Sequence, residues 1–250
     1  MISAKRITGS LKTKLLVVLL SATFVNLALV GYFGFQRMKT QLEEDQNVRL
    51  SGFSHRITKA VDMFMGQRVS DISTWATMDT IETAADIGGG QAGGNKLLAE
   101  IAKSYGTFDL LLLLDRNGKC IAGNMPQAVG QNLSNEPWVK EVLSGKQHIG
   151  EFALHPVLKT VVPESRGYSA VIAAPVTVQK ETRAVLAGYV RWENLSQIME
   201  GFPVGKTGYT YMVDRSLDMT VIAHPTRDIV GQKLRDPNIN VPAAADAFEK

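Results

Sequence analysis

Residues 15–35 read LLVVLLSATFVNLALVGYFGF, 21 positions without a charge. As a helix this stretch is roughly 30 Å long, the thickness of a bilayer's hydrocarbon core. It is longer than the apolar region of a cleavable signal peptide and has no Ala-x-Ala near its end, so it is read as an uncleaved transmembrane helix. Leu50, Phe53, Ile57, Val61, Met65, Val69, Ile72 and Ala76 then recur every three or four positions. That spacing predicts one long amphipathic helix from residue 36 to about 85, within a segment that closes at 87. Gly88-Gly89-Gly90-Gln91-Ala92-Gly93-Gly94 breaks it as a flexible turn, and a short helix follows over 95–105. From there the pattern turns to strands. Strand 108–114 is joined by the hairpin turn Asp115-Arg116-Asn117-Gly118 to strand 119–123. Pro137 opens a helix through Leu143. Strands 148–152, 168–176 and 184–192 follow, the last two paired through Gln179-Lys180-Glu181, and a helix covers 193–202.

A further strand, 209–213, begins a second copy of what started at 108. Asp115-Arg116 is answered by Asp214-Arg215, and the pairs Val129-Gly130-Gln131/Val230-Gly231-Gln232 and Ile121/Ile222 share an offset of 101 positions. A period near a hundred suits duplication of a small domain. Asn26 is the one strongly polar residue of the apolar stretch, and a helix–helix contact can satisfy it.

Charge changes the picture only at the N-terminus. The net charge of +3 is too small to suggest nucleic acid, and Lys5, Arg6, Lys12 and Lys14 precede the span with no acidic neighbour. The positive-inside bias puts residues 1–14 in the cytoplasm and everything after 35 outside. Cys120 is the single cysteine and is read as strand packing. His148, Glu151 and His155 do not match helical metal-ligand spacing and are read as structural or solvent-facing, as His224 is read as a turn residue. No metal or cofactor is expected. Haem, Walker and nucleophile-elbow motifs are absent, which argues against an enzyme.

The run GKTGYTYMVDRSLDMTVIAHPTRDIVGQKL, together with FDLLLLLDRNGKCIAGN and VGQNLSNEPWVKEVLSGKQHIGE, resembles the Cache domains of bacterial receptors. The likeness extends from about residue 36 onward. It implies an α+β fold in which a long N-terminal helix carries tandem PAS-like (Cache) modules with antiparallel sheets, preceded by one transmembrane helix. The implied organisation is a cytoplasmic tail (1–14), a transmembrane helix (15–35), a signalling and dimerisation helix (36–87), a membrane-distal module (95–203) and the start of a membrane-proximal module (204–250) that is incomplete in this chain.

In function the resemblance implies the periplasmic input region of a methyl-accepting chemotaxis receptor in the bacterial inner membrane, a homodimer that senses a small molecule. The same input serves sensor histidine kinases and diguanylate cyclases, and a membrane-tethered spacer that binds nothing is a third reading. Amino-acid-binding members carry an arginine shortly before an aromatic pair and an aspartate on a later strand. Here Glu136 and Tyr189 occupy positions of that arginine and aspartate, and only Trp138 of the aromatic pair is retained, so the α-amino-acid signature is missing. What remains is Trp138, Tyr168, Tyr189 and Arg191. Period-two alternation puts Ala187, Tyr189 and Arg191 on one strand face, and an arginine among aromatics suits a small carboxylate or another anion.

Overall fold

The computed structural model describes residues 11–86, 91–202, 204, 208–215 and 219–234. The chain divides into two units, 1–56 and 57–250. The first unit is helical in all its described residues, which belong to α1 (Leu11–Trp75), and its side chains are exposed except for a half-buried Phe53. α1 is long and apolar enough to cross a membrane. Its polar side chains are satisfied within the helix: Ser21 donates to the Val18 carbonyl, Thr23 to Leu19 and Leu20, and the Asn26 amide to Ala22 at 2.8 Å.

In the second unit the stripe turns inward, with Ile57, Ile72 and Trp75 buried. The helix expected to reach residue 85 stops at Trp75. Its ring is wedged edge-on against Tyr105 at 5.1 Å and Phe108 at 5.6 Å, and Met78 is extended (φ −75°, ψ 133°). α2 (Asp79–Ala85) then restarts with Asp79 and Glu82 in its first turn, where acidic groups favour the helix dipole. α3 (Gln91–Tyr105) begins earlier than expected and takes in Gly93 and Gly94. A Cβ on Gly94 would lie 3.0 Å from that of Ala84 and 3.2 Å from that of Ala122, so this glycine permits close packing and does not break the helix. Residues 88–90 of the expected turn lie outside the described residues.

The strands are β1 (Phe108–Asp115), β2 (Cys120–Gly123), β3 (His148–Ile149), β4 (Ala153–Leu154), β5 (Tyr168–Ser169), β6 (Val171–Val178) and β7 (Glu181–Val190). Among them lie α4 (Pro137–Leu143) and α5 (Pro156–Val161), and α6 (Glu193–Glu200) follows. Five strands form one antiparallel sheet in the order β2-β1-β7-β6-β3. The β6–β7 hairpin turns through Gln179 (φ 52°) and Lys180 (φ 68°), the left-handed pair that matches strand twist. The single strand expected over 168–176 is broken at Ala170. Ser169 donates its hydroxyl to the Val190 carbonyl at 3.0 Å, a side-chain bond that competes with the ladder, and β5 pairs with β4 in a separate sheet. The strand expected over 148–152 is reduced to β3, and α5 was not anticipated.

Alternation sorts the main sheet's side chains into two cores. Leu111, Leu113, Ile172 and Leu186 meet Ile72, Ile81 and Leu98 from α1, α2 and α3. Leu110, Leu112, Ala173, Ala187 and Tyr189 meet Trp138, Val142 and Leu158 from α4 and α5.

A second hairpin, β8 (Met212–Val213) with β9 (Val221–Ala223), is shorter than the expected strand 209–213. Its main chain repeats the bonding of the first. Asp115 N–H donates to Lys119, Cys120 to Gln131, Gly130 to Cys120 and Leu133 to Gly118, while Asp214 donates to Thr220, Val221 to Gln232, Gly231 to Val221 and Leu234 to Met219. The turn aspartates act alike: Asp115 Oδ1 accepts from Lys119 N–H at 2.9 Å and Asp214 Oδ1 from Thr220 N–H at 2.8 Å. Residues 205–207 and 235–250 lie outside the described residues.

Candidate ligand-binding site

Pro137 sits at the first position of α4, where its fixed φ suits a helix start and its missing N–H costs nothing. The helix that follows drives Trp138, Val139 and Val142 into the sheet. Trp138 is only 5% exposed, yet its indole Nε1–H meets no acceptor. One ring face is covered by His148, stacked at 6.2 Å, and His148 Nδ1 is held by Glu141 Oε2 at 2.9 Å.

Tyr189 belongs to the same core, on the central strand β7, and is fully buried. Its hydroxyl also lacks a partner, and burial raises its pKa so far that it stays protonated. His155, the residue before α5, stands edge-on to the Tyr189 ring at 5.2 Å with its Nε2 unpartnered. Burial lowers the His155 pKa, against smaller opposing effects of Glu136 and the Ser169 backbone. A neutral ring that donates from Nδ1 to a backbone carbonyl presents Nε2 as an acceptor. An unsatisfied buried polar atom costs about 1–3 kcal/mol. Trp138, His155 and Tyr189 thus bring unpartnered hydrogen-bonding groups into an otherwise apolar part of the fold.

Of the four residues singled out by sequence, Trp138 and Tyr189 come together. Arg191 and Tyr168 are engaged elsewhere. Arg191 follows the end of β7, and its Nε donates to Asp109 Oδ1 at 2.7 Å. The cation on which an anionic ligand was expected to rest is therefore already paired. Asp109 is 7% exposed, and burial raises its pKa even though Arg191 pulls the other way. Tyr168 stacks on Phe152 at 5.3 Å and donates its hydroxyl to the Gly231 carbonyl at 3.3 Å, so it joins the second hairpin and not the Trp138 group. Trp192 does the same through Nε1–H to the Ile222 carbonyl. A cleft of about 510 Å³ lies there, lined in part by Met65, Phe152, Trp192, Met212 and Ile222.

Sequence reading passed over Asp109 and set His155 aside as structural or solvent-facing. Asp109 had a signal, as the one charge inside the apolar run 108–114. His155 was weighed only within the His148, Glu151 and His155 spacing, and its place before Pro156 gave no further signal. The His148, Glu151 and His155 set does not assemble, and among the described residues no three His, Cys, Asp or Glu side chains gather to hold a metal. Cys120 is buried and its thiol is pushed up to about 12, which suits packing and not reactivity. His224 accepts from Thr226 N–H at 2.8 Å in its turn.

No protein-family model and no curated protein sequence matches the chain. Solved structures do. The ligand-binding domain of the Pseudomonas fluorescens chemoreceptor CtaA, in complex with L-serine, is similar with a TM-score of 0.55 at 19% identity, over 77% of this chain and 78% of that one. The sensor domain of the Vibrio cholerae histidine kinase DctB gives 0.54 at 19% identity, over 76% and 69%. The domain of the Pseudomonas aeruginosa chemoreceptor PctC, in complex with GABA, gives 0.50 at 17% identity, over 78% of each. The chain therefore has the α+β fold of sensor domains found in both chemoreceptors and histidine kinases.

Proposed function

We propose that this chain is the extracytoplasmic input region of a transmembrane chemoreceptor of the methyl-accepting type, in the Cache family, which detects a small molecule in the periplasm. The observation that carries the reading is the set of unpartnered buried polar atoms that Trp138, His155 and Tyr189 bring to one side of the main sheet. A core built only for stability satisfies such groups or omits them. In this reading residues 1–14 are cytoplasmic, 15–35 span the inner membrane, 36–87 form the signalling and dimerisation helix, 95–203 the distal module and 204–250 the start of the proximal one. The apolar side chains of α1, among them Leu19, Phe24 and Leu27, are exposed and call for lipid around them. Leu42, Val48 and Leu50 lie exposed beyond that span and favour a second copy as partner. The hairpin bonds repeated at β8–β9 support a tandem arrangement.

The ligand sits between Trp138 and Tyr189, with His155 replacing Tyr168 and Arg191 in the set of contacts. The likeness to the DctB sensor domain favours histidine-kinase input as the second reading. Deleting the coding gene in its host and scoring capillary chemotaxis separates the two. The chemoreceptor reading expects lost migration toward the compound that the purified chain binds. Unchanged migration with altered ligand-dependent transcription favours the kinase.

A further inference from the structure

The cleft of about 510 Å³ beside the second hairpin has the size of a small-molecule site. Three parts of the chain wall it: Met65 on α1, Phe152 and Trp192 of the main-sheet module, and Met212 and Ile222 of β8 and β9. It shares no lining residue with the Trp138 group. Phe152 lies between two rings, stacked on Tyr168 at 5.3 Å and tilted against Trp192 at 4.4 Å. The polar ends of those rings are already used, the Tyr168 hydroxyl by the Gly231 carbonyl and the indole N–H by the Ile222 carbonyl. What Phe152 and Trp192 offer the cleft is therefore ring surface. Met65 and Met212 add two thioethers, soft groups that favour the edge of an aromatic ring and adapt to its outline. An aromatic guest gains ring–ring and sulfur–ring contacts that an aliphatic guest of equal area cannot make. Charge narrows the choice further. Glu151 and Asp214 line the cleft against Arg215 alone. Two carboxylates to one guanidinium leave the lining with an excess of negative charge, which draws a cation and repels an anion.

We infer that this cleft is a binding site for a small aromatic cation, separate from the Trp138 group and independent of what that group holds. A guest there touches α1, the main-sheet module and the second hairpin at once. The test is calorimetric titration of the full chain in lipid nanodiscs, with empty nanodiscs as the blank. The probes are 2-phenylethylamine, its saturated counterpart 2-cyclohexylethylamine, and the aromatic anion 3-phenylpropionate, each at neutral pH. The expected result is a single 2-phenylethylamine per chain. It should bind about threefold to tenfold more tightly than the cyclohexyl amine, the share that ring contacts contribute. 3-Phenylpropionate should bind more weakly than 2-phenylethylamine. Phe152→Leu keeps apolar bulk and removes the ring, so it should abolish the preference for phenyl over cyclohexyl. Glu151→Gln changes an exposed side chain and should weaken 2-phenylethylamine about threefold, with the melting temperature of the free chain unchanged. If Phe152→Leu does not melt cooperatively, Glu151→Gln decides alone. Equal affinity for the phenyl and cyclohexyl amines, or a preference for the carboxylate, overturns the assignment. So does 2-phenylethylamine binding that neither substitution changes, and so does no binding at all on a chain that melts cooperatively. None of these outcomes bears on the Trp138 group.

Discussion

Phe108, Leu111, Leu113, Ile172 and Leu186 leave the main sheet on one side and meet α1, α2 and α3. Leu110, Leu112, Ala173, Ala187 and Tyr189 leave it on the other and meet α4 and α5. The strands are the same, and the two cores are buried to a similar degree. They differ in polarity. On the first side Trp75 packs edge-on between two aromatic rings, and Gly188 is so close to Phe108 and Ile72 that a Cβ would come within 2.6 Å of the Phe108 ring. On the second side Trp138 and Tyr189 bring polar atoms inside without partners. One face is filled as a scaffold, and the other holds hydrogen-bonding capacity in reserve.

That contrast can be broken at its strongest point first. Ile72→Ala removes a fully buried side chain from the scaffold face and should cost about 2–5 kcal/mol by chemical denaturation, since close-packed surroundings relax only in part. A cost below about 1 kcal/mol would mean that this face is looser than its packing implies. Tyr189→Phe probes the other face. Deleting a hydroxyl that is buried and unpartnered should raise stability by about 1–3 kcal/mol, the usual penalty for such a group, and should weaken ligand binding. A fall in stability would show that the hydroxyl is satisfied, and the asymmetry between faces would vanish. The smallest effect concerns pH. The folded-state pKa of His155 is lowered by burial, so its contribution is present above the unfolded value of about 6.5 and is lost as pH falls through that value toward the folded one. His224 shifts in the same direction, so the comparison must be with His155→Phe. Between about pH 7 and about pH 5, wild type should lose more stability than the variant, and equal losses would place His155 in contact with water.

Period-two alternation and the turn residues made the sheet legible in advance. Asp115-Arg116-Asn117-Gly118, Gln179-Lys180 and Pro137 mark local backbone events, and each stands where its chemistry predicts. The end of α1 was illegible because its cause is tertiary: Trp75 stops the helix by fitting between Tyr105 and Phe108, two residues from later elements. Gly94 misled for a similar reason, since a glycine that lets helices approach looks in sequence like one that ends them. In the candidate site, Trp138 and Tyr189 could be picked out as aromatics on converging elements. That Asp109, 82 positions away, would take the Arg191 guanidinium could not be read from the sequence. Ion pairing across strands leaves no periodic trace.

The hairpins at β1–β2 and β8–β9 share their main-chain bonds and a handful of residues, the turn aspartates among them. Gly118 (φ 75°) corresponds in that pattern to Met219 (φ 48°), although a side chain is strained in the left-handed region where glycine is not. An amide N–H and a carbonyl are indifferent to the side chain that their residue bears. A form specified mainly by such bonds can exchange most of its residues and keep its shape, and substitution then erases kinship in the alphabet before it erases it in geometry. The solved structures that share this fold agree with the chain at fewer than one position in five.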